Sequence, residues 1–491
     1  MKTKNHPTTP HWQIILILLV LVGGALRLFD STDPPLDFQP TRQLRNSLVA
    51  RSIYYDSLAD ASARERQLAA SFRRSVGLYE PPIIETLVGW TYLATGESFA
   101  VARVYQTLLW LLAGLALFDL ARRAASLEAG FLALAYYLVL PFSVQASRSF
   151  QPDPLMTSLF VGGLYFMWRW AQEMTWKSAV LAGLFFGLAA LVKIVIAFMI
   201  AGAAISVVLV IGLPRIWRSG QLWVMAALAI VPAFAYYVVG TPGRSTEYFF
   251  AWTVTLIELV LTGDFYSKWL ALLGSLFGLT MLALAVLGAF LAESRLRAML
   301  VGAWIGYLLY GLTLPFQMYT HSYYHIQLIP SVALGISPLV PPLILTIRTL
   351  PRFWRAASLA LLLGAASLQA WAARSILAAE DFREEPALWE EIGAAMPVDA
   401  DVIALTQDYG YRLMYWGWRK VDLWPIATEL SEARGGAPDA ASDFTDDTSG
   451  MEYFLVTAFG QLDRQPGLRN ILASLPVAAE GDGYVVYDLR K

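Results

Sequence analysis

Long apolar stretches alternate with short charged connections along most of this chain. About eleven stretches are long enough to cross roughly 30 Å of hydrocarbon. They lie at approximately residues 12–28, 99–120, 127–146, 154–171, 178–192, 195–213, 221–240, 269–291, 298–314, 326–347 and 356–376. This pattern predicts a polytopic α-helical membrane protein of about eleven transmembrane helices.

Basic side chains fall in alternate connections between these stretches. If every stretch crosses the membrane once, those connections lie on the same side as Lys2 and Lys4. Cytoplasmic loops carry an excess of positive charge, so this side is predicted to be the cytoplasm of a multi-pass plasma-membrane protein. The N-terminus is then cytoplasmic, whereas the loop at about 29–98 and everything after about 377 are extracytoplasmic.

Both long extracytoplasmic segments have their own helix and strand patterns. After Pro40, TRQLRNSLVARSIYYDSL predicts a helix, and residues 62–76 predict a short amphipathic helix. In the tail, DFREEPALWEEIGAAMP and QPGLRNILASLP predict helices, while DVIALT, EYFLVTAF and GYVVYDL predict strands. We therefore predict a transmembrane catalytic domain over 1–376 and a small α/β domain over 377–491.

Composition narrows the function classes. Of 491 residues, 57% are hydrophobic and only 15% are charged, as expected for a chain largely in lipid. The net charge of −2 gives no electrostatic case for binding nucleic acid. The chain has no cysteine, which excludes disulfides and thiolate metal sites. The first apolar run resembles a signal peptide, but its length and the many stretches behind it predict a retained anchor.

Ionisable side chains gather at the predicted outer ends of the transmembrane helices, where charge is costly to bury and so indicates function. Five segments carry them: PPLDFQPTRQ, LYEPPIIE, SRSFQPDP, LVKI and YTHSYYHIQLIP. The candidates are Asp37, Arg42, Arg45, Glu80, Arg148, Asp153, Lys193, His321 and His325. A carboxylate with nearby cations and imidazoles suits a base, a phosphate clamp and a divalent metal ion, and we predict that these groups meet in one cleft.

Every candidate also has a structural alternative. Asp37 could cap the following helix, and Arg42 and Arg45 could extend towards lipid headgroups. Arg148 and Asp153 could form a structural ion pair at a helix turn. Glu80 could be a solvated acid, and Lys193 could anchor its helix end at the membrane interface. His321 and His325 could be a chance histidine pair.

In their order along the chain, these segments resemble the GT-C glycosyltransferases, specifically family 39 and its relatives. Those relatives include the protein O-mannosyltransferases and the lipid A aminoarabinose transferase. The family's acid in the first extracytoplasmic loop is matched by Asp37. Its double-proline segment is matched by EPPIIETLVGWTYLATGESFAVAR, with Gly96 and Arg103, and its R…PD turn by Arg148 and Asp153.

The later part of the resemblance lies in two further motifs. An L-x-K turn is matched at Lys193, and an H-x-YY signature ending in proline runs from His321 through Tyr324 to Pro330. The resemblance covers about residues 12–376.

Two positions depart from the family pattern. Phe38 follows Asp37 where the family often has a second acid, and Glu80 precedes the double proline where the family often has lysine. The second departure moves the expected donor-phosphate contact from this position to Arg42 or Arg45.

The resemblance implies an inverting glycosyltransferase that moves a monosaccharide from a polyprenyl-phosphate donor to an acceptor hydroxyl at the outer membrane face. The acceptor could be a protein, a lipid or a polysaccharide, as in protein glycosylation or cell-envelope assembly. Asp37 is the predicted base and Asp153 the alternative. The predicted ligands of the donor phosphate are Arg42, Arg45, Arg148 and Lys193. The predicted substrate cleft contains Glu80, Arg103, His321 and Tyr324.

A divalent metal ion is a further expectation. Glu80, His321 and His325 would offer oxygen and imidazole ligands that suit zinc or manganese, with magnesium as another choice. No ligand spacing in the sequence singles out one of these ions.

Two other function classes stay open at the level of sequence. A polytopic transporter or lipid flippase would line a translocation path with the same charges, although its site would be expected near the membrane midplane. A non-catalytic scaffold could use the tail to bind an envelope partner, but it would leave the charges at the outer helix ends without a purpose.

Overall fold

Helices make up most of the fold, as the apolar pattern predicts. The computed structural model describes residues 11–77, 79–241, 244–426 and 440–490. A helical fold with a small C-terminal sheet is confirmed. Lys2 and Lys4, on which the predicted orientation of the N-terminus depends, lie outside the described residues.

The helices follow one another closely along the chain. Up to residue 234 they are α1 (His11–Leu28), α2 (Pro40–Ser57), α3 (Ala63–Ser75), α4 (Ile83–Thr95), α5 (Phe99–Ala124), α6 (Leu127–Val139), α7 (Pro141–Arg148), α8 (Pro152–Glu173), α9 (Trp176–Val192), α10 (Ala197–Ile211), α11 (Leu213–Ile216) and α12 (Gly220–Phe234). A π-helical segment, Ala235–Gly240, continues α12.

The helices after residue 240 belong partly to unit 1 and partly to the tail. They are α13 (Arg244–Trp252), α14 (Gly263–Phe277), α15 (Leu279–Leu291), α16 (Ser294–Thr313), α17 (Pro315–Thr320), α18 (Leu328–Ile336), α19 (Val340–Thr349), α20 (Arg352–Leu377), α21 (Glu385–Ala394), α22 (Tyr411–Tyr415), α23 (Ala440–Asp447), α24 (Phe459–Leu462) and α25 (Pro466–Leu472). Short 3₁₀ segments lie at Ile194–Ile196, Val254–Leu261, Ser322–His325, Ser337–Leu339 and Asp408–Gly410.

Six helical segments of the described chain are long and apolar enough to cross a membrane, or up to eight if each bent pair is one crossing. The six are Phe99–Ala124, Ile194–Ile211, Gly220–Gly240, Ser294–Thr313, Leu328–Thr349 and Arg352–Leu377. Each corresponds to a predicted transmembrane helix. The predicted total of about eleven stays a prediction.

Two of the predicted transmembrane helices are broken in the structure. α6 and α7 meet at 61°, at Pro141, which has no N–H to continue the helical hydrogen bonds. α14 and α15 meet at 89°. Gly278 between them has a φ of 78°, a left-handed conformation that glycine adopts without strain.

The chain divides into two compact units. Unit 1 consists of Met1–Ser31, Tyr79–Pro81 and Ala102–Glu380. Unit 2 consists of Thr32–Leu78, Pro82–Val101 and Asp381–Lys491. Unit 2 therefore combines most of the predicted first extracytoplasmic loop with the predicted C-terminal domain. The domain boundary predicted at 376/377 stays a prediction.

Close backbone contact joins α10 to α16 within unit 1. A Cβ on Gly202 would lie 2.1 Å from the carbonyl oxygen of Gly302, and a Cβ on Gly302 would lie 2.1 Å from that of Gly202. Only glycine allows this approach, as is common between membrane helices. The contact holds α10, which follows Lys193, against α16, which carries Tyr310.

Unit 2 contains a five-stranded mixed sheet in the order β2-β1-β3-β5-β4. Its strands are β1 (Val402–Leu405), β2 (Asp422–Leu423), β3 (Tyr453–Val456), β4 (Val477–Gly481) and β5 (Tyr484–Asp488). β1 pairs in parallel with β2 and β3, and β5 pairs antiparallel with β3 and β4. The three predicted strands correspond to β1, β3 and β5.

The tail shares a hydrophobic core with α2 and α3. Leu44 and Leu48 of α2 and Phe72 of α3 are buried in one cluster with Trp389 of α21 and Leu455 of β3. The tail sheet is therefore covered on one side by residues from the first loop.

Candidate active site

A buried ion pair joins two helix ends in unit 1. Asp153 lies in the first turn of α8, and Lys193 follows the last residue of α9 in an extended conformation. The Lys193 Nζ donates to Asp153 Oδ1 at 2.7 Å, and the two side chains are only 6% and 3% exposed. Breaking such a pair would leave an uncompensated buried charge.

Two tyrosine rings cover the Lys193 ammonium. Nζ lies 4.9 Å from the ring centroid of Tyr323 and 4.8 Å from that of Tyr324, within cation–π distance. The Tyr324 hydroxyl lies 3.0 Å from the Tyr248 hydroxyl, and its ring stacks on Tyr310 at 6.2 Å. We call five of these residues the lysine cluster: Asp153, Lys193, Tyr310, Tyr323 and Tyr324.

Buried polar atoms of the lysine cluster lack partners. Among the described residues, Asp153 Oδ2 and the Tyr310 hydroxyl have no hydrogen-bond partner, and neither does the side-chain amide of Gln151, two residues before Asp153. Leaving a buried polar atom unpaired costs about 1–3 kcal/mol, so native proteins rarely do it without reason. The cluster therefore has the polar atoms that a bound polar ligand would satisfy.

Arg103 and Arg148 converge on one backbone carbonyl. Their guanidinium groups donate to the carbonyl oxygen of Asp30 at 3.2 and 3.0 Å, and each residue is only 2% exposed. Asp30 itself has a left-handed φ of 50°. Both arginines thus brace the segment that follows α1. The donor-phosphate role of Arg148 and the cleft role of Arg103 stay predictions.

Glu80 belongs to Tyr79–Pro81, a short segment of unit 1 that lies in sequence between two segments of unit 2. Its neighbour Tyr79 packs against Tyr248, with 6.3 Å between ring centroids. The Tyr248 hydroxyl in turn lies 3.0 Å from the Tyr324 hydroxyl of the lysine cluster. Glu80 is therefore connected through neighbouring tyrosines to the surroundings of Lys193.

His321 lies beside the lysine cluster. Its ring centroid is 5.6 Å from that of Tyr323 and 6.0 Å from that of Tyr324. Its Nδ1 lies 2.6 Å from the hydroxyl of Thr320. The structure therefore brings four of the predicted residues together in unit 1: Asp153, Lys193, His321 and Tyr324.

His325 has a structural environment instead. It is fully buried, with Nε2 3.0 Å from the Met318 carbonyl and Nδ1 2.7 Å from the Tyr307 hydroxyl. A carbonyl can only accept, so Nε2 carries the proton and Nδ1 accepts from Tyr307. Burial lowers the pKa of His325 to about 3, which keeps the ring neutral. No ring lone pair is left for a metal, so the predicted ligand role of His325 does not fit.

The predicted metal site as a whole does not fit either. Within the described ranges, no group of three or more His, Asp or Glu side chains is placed to hold a metal ion. Glu80, His321 and His325 therefore do not form the ligand set that the sequence predicts.

In unit 2, the segment that carries Asp37 is anchored by a side chain that sequence reasoning missed. The Gln43 amide donates to the carbonyl oxygens of Pro35 at 3.2 Å and Phe38 at 2.6 Å. Leu36 and Phe38, on either side of Asp37, are buried, whereas Asp37 is half-buried. The backbone of Asp37 is thus held while its carboxylate stays partly accessible.

Asp37 is not the cap of the next helix. The N-cap of α2 is Gln39, whose φ of 51° is left-handed and whose side chain makes no capping hydrogen bond. Pro40 is the first helical residue and has no N–H to be capped. The capping alternative for Asp37 therefore does not apply.

Arg42 and Arg45 of α2 differ in their surroundings. Arg45 is only 5% exposed and donates to the carbonyls of Val76 and Gly77 at 3.4 and 2.7 Å, and to the Asn46 side chain at 3.1 Å. It therefore braces the turn after α3. Arg42, in the first turn, is half-buried. The role of either in binding donor phosphate stays a prediction.

A partly buried ion pair that the sequence did not predict lies within unit 2. Arg51 Nε donates to Glu97 Oε2 at 2.8 Å, and the Tyr415 hydroxyl donates to the same oxygen at 3.2 Å. The Arg51 guanidinium carbon lies 3.6 Å from the Tyr415 ring centroid. Burial is the largest single effect and opposes the charge on Arg51, but the charge and hydrogen bond of Glu97, together with Tyr415 and Tyr55, raise the pKa of Arg51. The available signal was the position of Glu97 in the family-like segment EPPIIETLVGWTYLATGESFAVAR.

Arg27 is another buried arginine that the sequence analysis did not single out. It donates to the hydroxyls of Ser147 at 2.7 Å and Ser143 at 3.2 Å, and to the carbonyl of Leu138 at 2.9 Å. These groups flank the break at Pro141, where carbonyls lose their helical partners. An arginine inside the apolar run WQIILILLVLVGGALRL was the signal.

Part of the chain matches a known protein family. Residues 79–239 match the family model described as dolichyl-phosphate-mannose-protein mannosyltransferase. No curated protein matches the chain.

Three solved structures have a similar fold. ArnT from Cupriavidus metallidurans, bound to undecaprenyl phosphate, is 16% identical with a TM-score of 0.58, and the match covers 98% of each chain. The oligosaccharyltransferase of Archaeoglobus fulgidus, in complex with zinc and sulfate, is 15% identical with a TM-score of 0.53, covering 90% of this chain and 68% of that one. Arabinofuranosyltransferase AftD from Mycobacteria is 14% identical with a TM-score of 0.53, covering 99% of this chain and 40% of that one.

Proposed function

We propose that this chain, a glycosyltransferase with the GT-C fold, moves a monosaccharide from a polyprenyl-phosphate donor to an acceptor hydroxyl at the extracytoplasmic membrane face. Its assignment to the GT-C glycosyltransferases is supported by the family model over residues 79–239 and by the similar fold. The donor class is supported by the matched family, whose name contains a dolichyl-phosphate sugar, and by the undecaprenyl phosphate bound to the similar ArnT structure.

The observation that carries the proposal is the lysine cluster. A phosphate needs fixed positive charge and hydrogen-bond donors in a site shielded from water, where their interaction is strongest. Lys193 supplies the charge, and Asp153 and the two tyrosine rings hold its ammonium in place. The Tyr310 hydroxyl, without a partner among the described residues, can add a hydrogen bond. We assign the lysine cluster to the donor phosphate.

The reaction we propose is a direct displacement at the anomeric carbon. The acceptor oxygen forms the new bond to C1 while the bond from C1 to the phosphate oxygen breaks. The electron pair of that bond leaves with the polyprenyl phosphate, and the acceptor proton passes to a carboxylate base. A single displacement inverts the anomeric configuration. Lys193 stabilises the charge that develops on the leaving phosphate.

Asp37 is our assignment for the base, with Asp153 as the alternative. General base catalysis by a carboxylate contributes about 10²- to 10⁴-fold. Asp153 is buried and its charge is paired with Lys193, whereas the Asp37 backbone is anchored by Gln43 and its side chain is partly accessible to an acceptor. We assign Asp153 primarily to holding Lys193.

Two further assignments complete the proposal. Arg42, half-buried in the first turn of α2, is assigned to the donor phosphate. We place the N-terminus in the cytoplasm and unit 2 outside it, because the basic connections between the apolar helices favour that orientation. No step is assigned to a metal ion because the predicted ligand set does not fit.

The direct test is transfer by the purified full-length protein in detergent. It is incubated with a panel of undecaprenyl-phosphate sugars and an extract of envelope proteins, lipids and polysaccharides. Mass spectrometry should detect undecaprenyl phosphate released from one donor, and NMR of the product should show the inverted configuration. Retention of configuration would contradict single displacement. No release from any donor, with the protein folded, would contradict the proposed function.

A further inference from the structure

A cleft in unit 2 lies between α3 and the tail. It has a volume of about 310 Å³ and is lined by Arg64, Glu65, Leu68, Val398, Trp418 and Arg419. Ligand clefts usually have volumes of about 300–1,000 Å³, so this one suits a single small molecule or one residue of a larger one. None of its lining residues belongs to the proposed catalytic machinery. We call it the Arg64/Arg419 cleft.

Two guanidinium groups of like charge share this cleft. Burial lowers the pKa of Arg419, and the positive charge of Arg64 lowers it further. Arg64 forms an exposed ion pair with Asp399 at 3.6 Å, and the charge of Asp399 also acts on Arg419 against the effect of Arg64. The carboxylate of Glu65 accepts from the Ser62 backbone N–H and hydroxyl at 2.8 and 2.7 Å. Asp399 offsets part of the repulsion between the arginines from an exposed position, and an anion bound in the cleft would offset more of it.

Arg419 is held in place. Nη1 donates to the carbonyls of Gly417 and Trp418, and Nη2 donates to that of Met396, each at 3.3 Å. Its Nε–H is buried and has no hydrogen-bond partner among the described residues. A fixed guanidinium loses little side-chain freedom when it binds a planar or tetrahedral anion.

The neighbouring backbone is strained. Trp418 has a φ of 51°, a left-handed conformation that is rare for a bulky side chain. Strained residues of this kind concentrate at ligand sites. Here the strained residue places an indole ring in the wall of the cleft directly before Arg419. The ring also contacts Arg51, at 4.8 Å from the guanidinium carbon to the centroid, and Tyr55. The part of the ring that lines the cleft is a surface on which the apolar face of a sugar ring packs.

We propose that the Arg64/Arg419 cleft binds a phosphorylated sugar as part of the acceptor. The guanidinium groups of Arg64 and Arg419 bind the phosphate, and Trp418, Leu68 and Val398 contact the sugar ring. The assignment to the acceptor rests on the proposed function, whereas the binding of a sugar phosphate does not. The binding can therefore be tested without donor or transfer.

The experiment is isothermal titration of the full-length protein in detergent with glucose 6-phosphate. Glucose 6-phosphate should bind, while glucose and inorganic phosphate should each bind at least about tenfold more weakly, because each lacks one half of the recognised group. Arg64→Gln/Arg419→Gln should weaken glucose 6-phosphate binding by at least about tenfold. Arg64→Gln alone removes an exposed side chain and keeps the test available if the double variant does not fold.

The matched control is Arg74→Gln. Arg74 lies on the same helix and is exposed, but it does not line the cleft, so binding should not change. Equal binding of glucose and glucose 6-phosphate, or an unaffected Arg64→Gln/Arg419→Gln variant, would overturn the proposal. Equal affinity for dihexanoyl phosphatidylglycerol would instead assign the cleft to a lipid headgroup and overturn the sugar phosphate. If the protein binds glucose 6-phosphate with these preferences in the absence of donor, the proposed cleft is supported even when no transfer is detected.

Discussion

At the scale of single residues, the lysine cluster depends on one charge pair. Lys193 and Asp153 are forty residues apart in sequence and nearly without solvent contact, so each is the other's main compensation. A buried charge that loses its partner destabilises a protein by about 3–5 kcal/mol. A change at either residue therefore alters stability as well as ligand binding, and the two effects need to be separated.

A double substitution separates them. Lys193→Gln should lower the free energy of unfolding by about 3–5 kcal/mol, and adding Asp153→Asn should restore much of it by removing the unpaired charge. Neither the single nor the double variant should recover donor affinity, which we expect to fall roughly 10- to 150-fold for one lost charge-assisted contact. Thermal unfolding and undecaprenyl phosphate binding in detergent provide the two measurements. A double variant that binds the lipid normally would make the pair purely structural.

The sequence identified Asp153 and Lys193 as candidates because charge at the end of an apolar helix is costly and therefore conspicuous. It could not identify their pairing, because the contact depends on how α8 and α9 pack. The Gln43 anchor of the Asp37 segment was missed for a similar reason. A polar residue in an amphipathic helix has no distinguishing pattern until the carbonyls it binds are known.

At the scale of elements, the break between α6 and α7 shapes the segment that leads to the lysine cluster. Ser143 and Arg27 satisfy carbonyls next to Pro141 that a straight helix would have paired internally. α7 then ends at Arg148, and α8 begins four residues later with Asp153 in its first turn. The apolar pattern predicts one continuous stretch at about 127–146, and it does not locate the 61° bend that divides this stretch into α6 and α7.

Substitution of Arg27 tests this bracing role. Arg27→Met should destabilise the protein by several kcal/mol, since each buried acceptor left unpaired costs about 1–3 kcal/mol. Arg27→Lys keeps the charge but lacks the fork that reaches several acceptors at once, so it should recover little of the loss. Thermal unfolding in detergent gives the comparison, with the exposed Leu21→Ala as control. A fully stable Arg27→Lys variant would show that only charge matters here.

Elements of the tail illustrate the limits of pattern reading. β1, β3 and β5 contain apolar runs and were predicted, whereas β2 has two exposed residues and β4 is mostly exposed. An edge strand pairs with only one neighbouring strand, and these two are largely exposed to water. Their sequences therefore carry little hydrophobic pattern. α4 was also missed, although thirteen mainly apolar residues follow Pro81 and Pro82.

At the scale of the whole molecule, the tail depends on the first loop for its core. Leu44, Leu48 and Phe72 are buried together with Trp389 and Leu455 of the tail, and the pair of Arg51 and Glu97 adds the contact with Tyr415. The composition change at about 377 predicts a separate domain but does not reveal this shared core, since the two halves lie about 300 residues apart in sequence.

The shared core predicts that the tail does not fold alone. A fragment of residues 381–491 would expose the apolar side that α2 and α3 cover, so we expect it to aggregate or to lack cooperative unfolding. Circular dichroism during heating measures this. Adding residues 32–101 through a flexible linker should restore a cooperative transition. Cooperative unfolding of residues 381–491 by themselves would contradict a shared core.

The most direct test of the account is single-turnover transfer by Asp37→Asn with saturating donor. Asparagine keeps the size and hydrogen bonding of the side chain but cannot take the acceptor proton, so transfer should fall by roughly 10²-fold or more while donor affinity and thermal unfolding stay unchanged. Asp60→Asn, an exposed acid in the same compact unit, should transfer at the wild-type rate. A folded Asp37→Asn variant with near-normal transfer would remove Asp37 from the mechanism and return the base to Asp153.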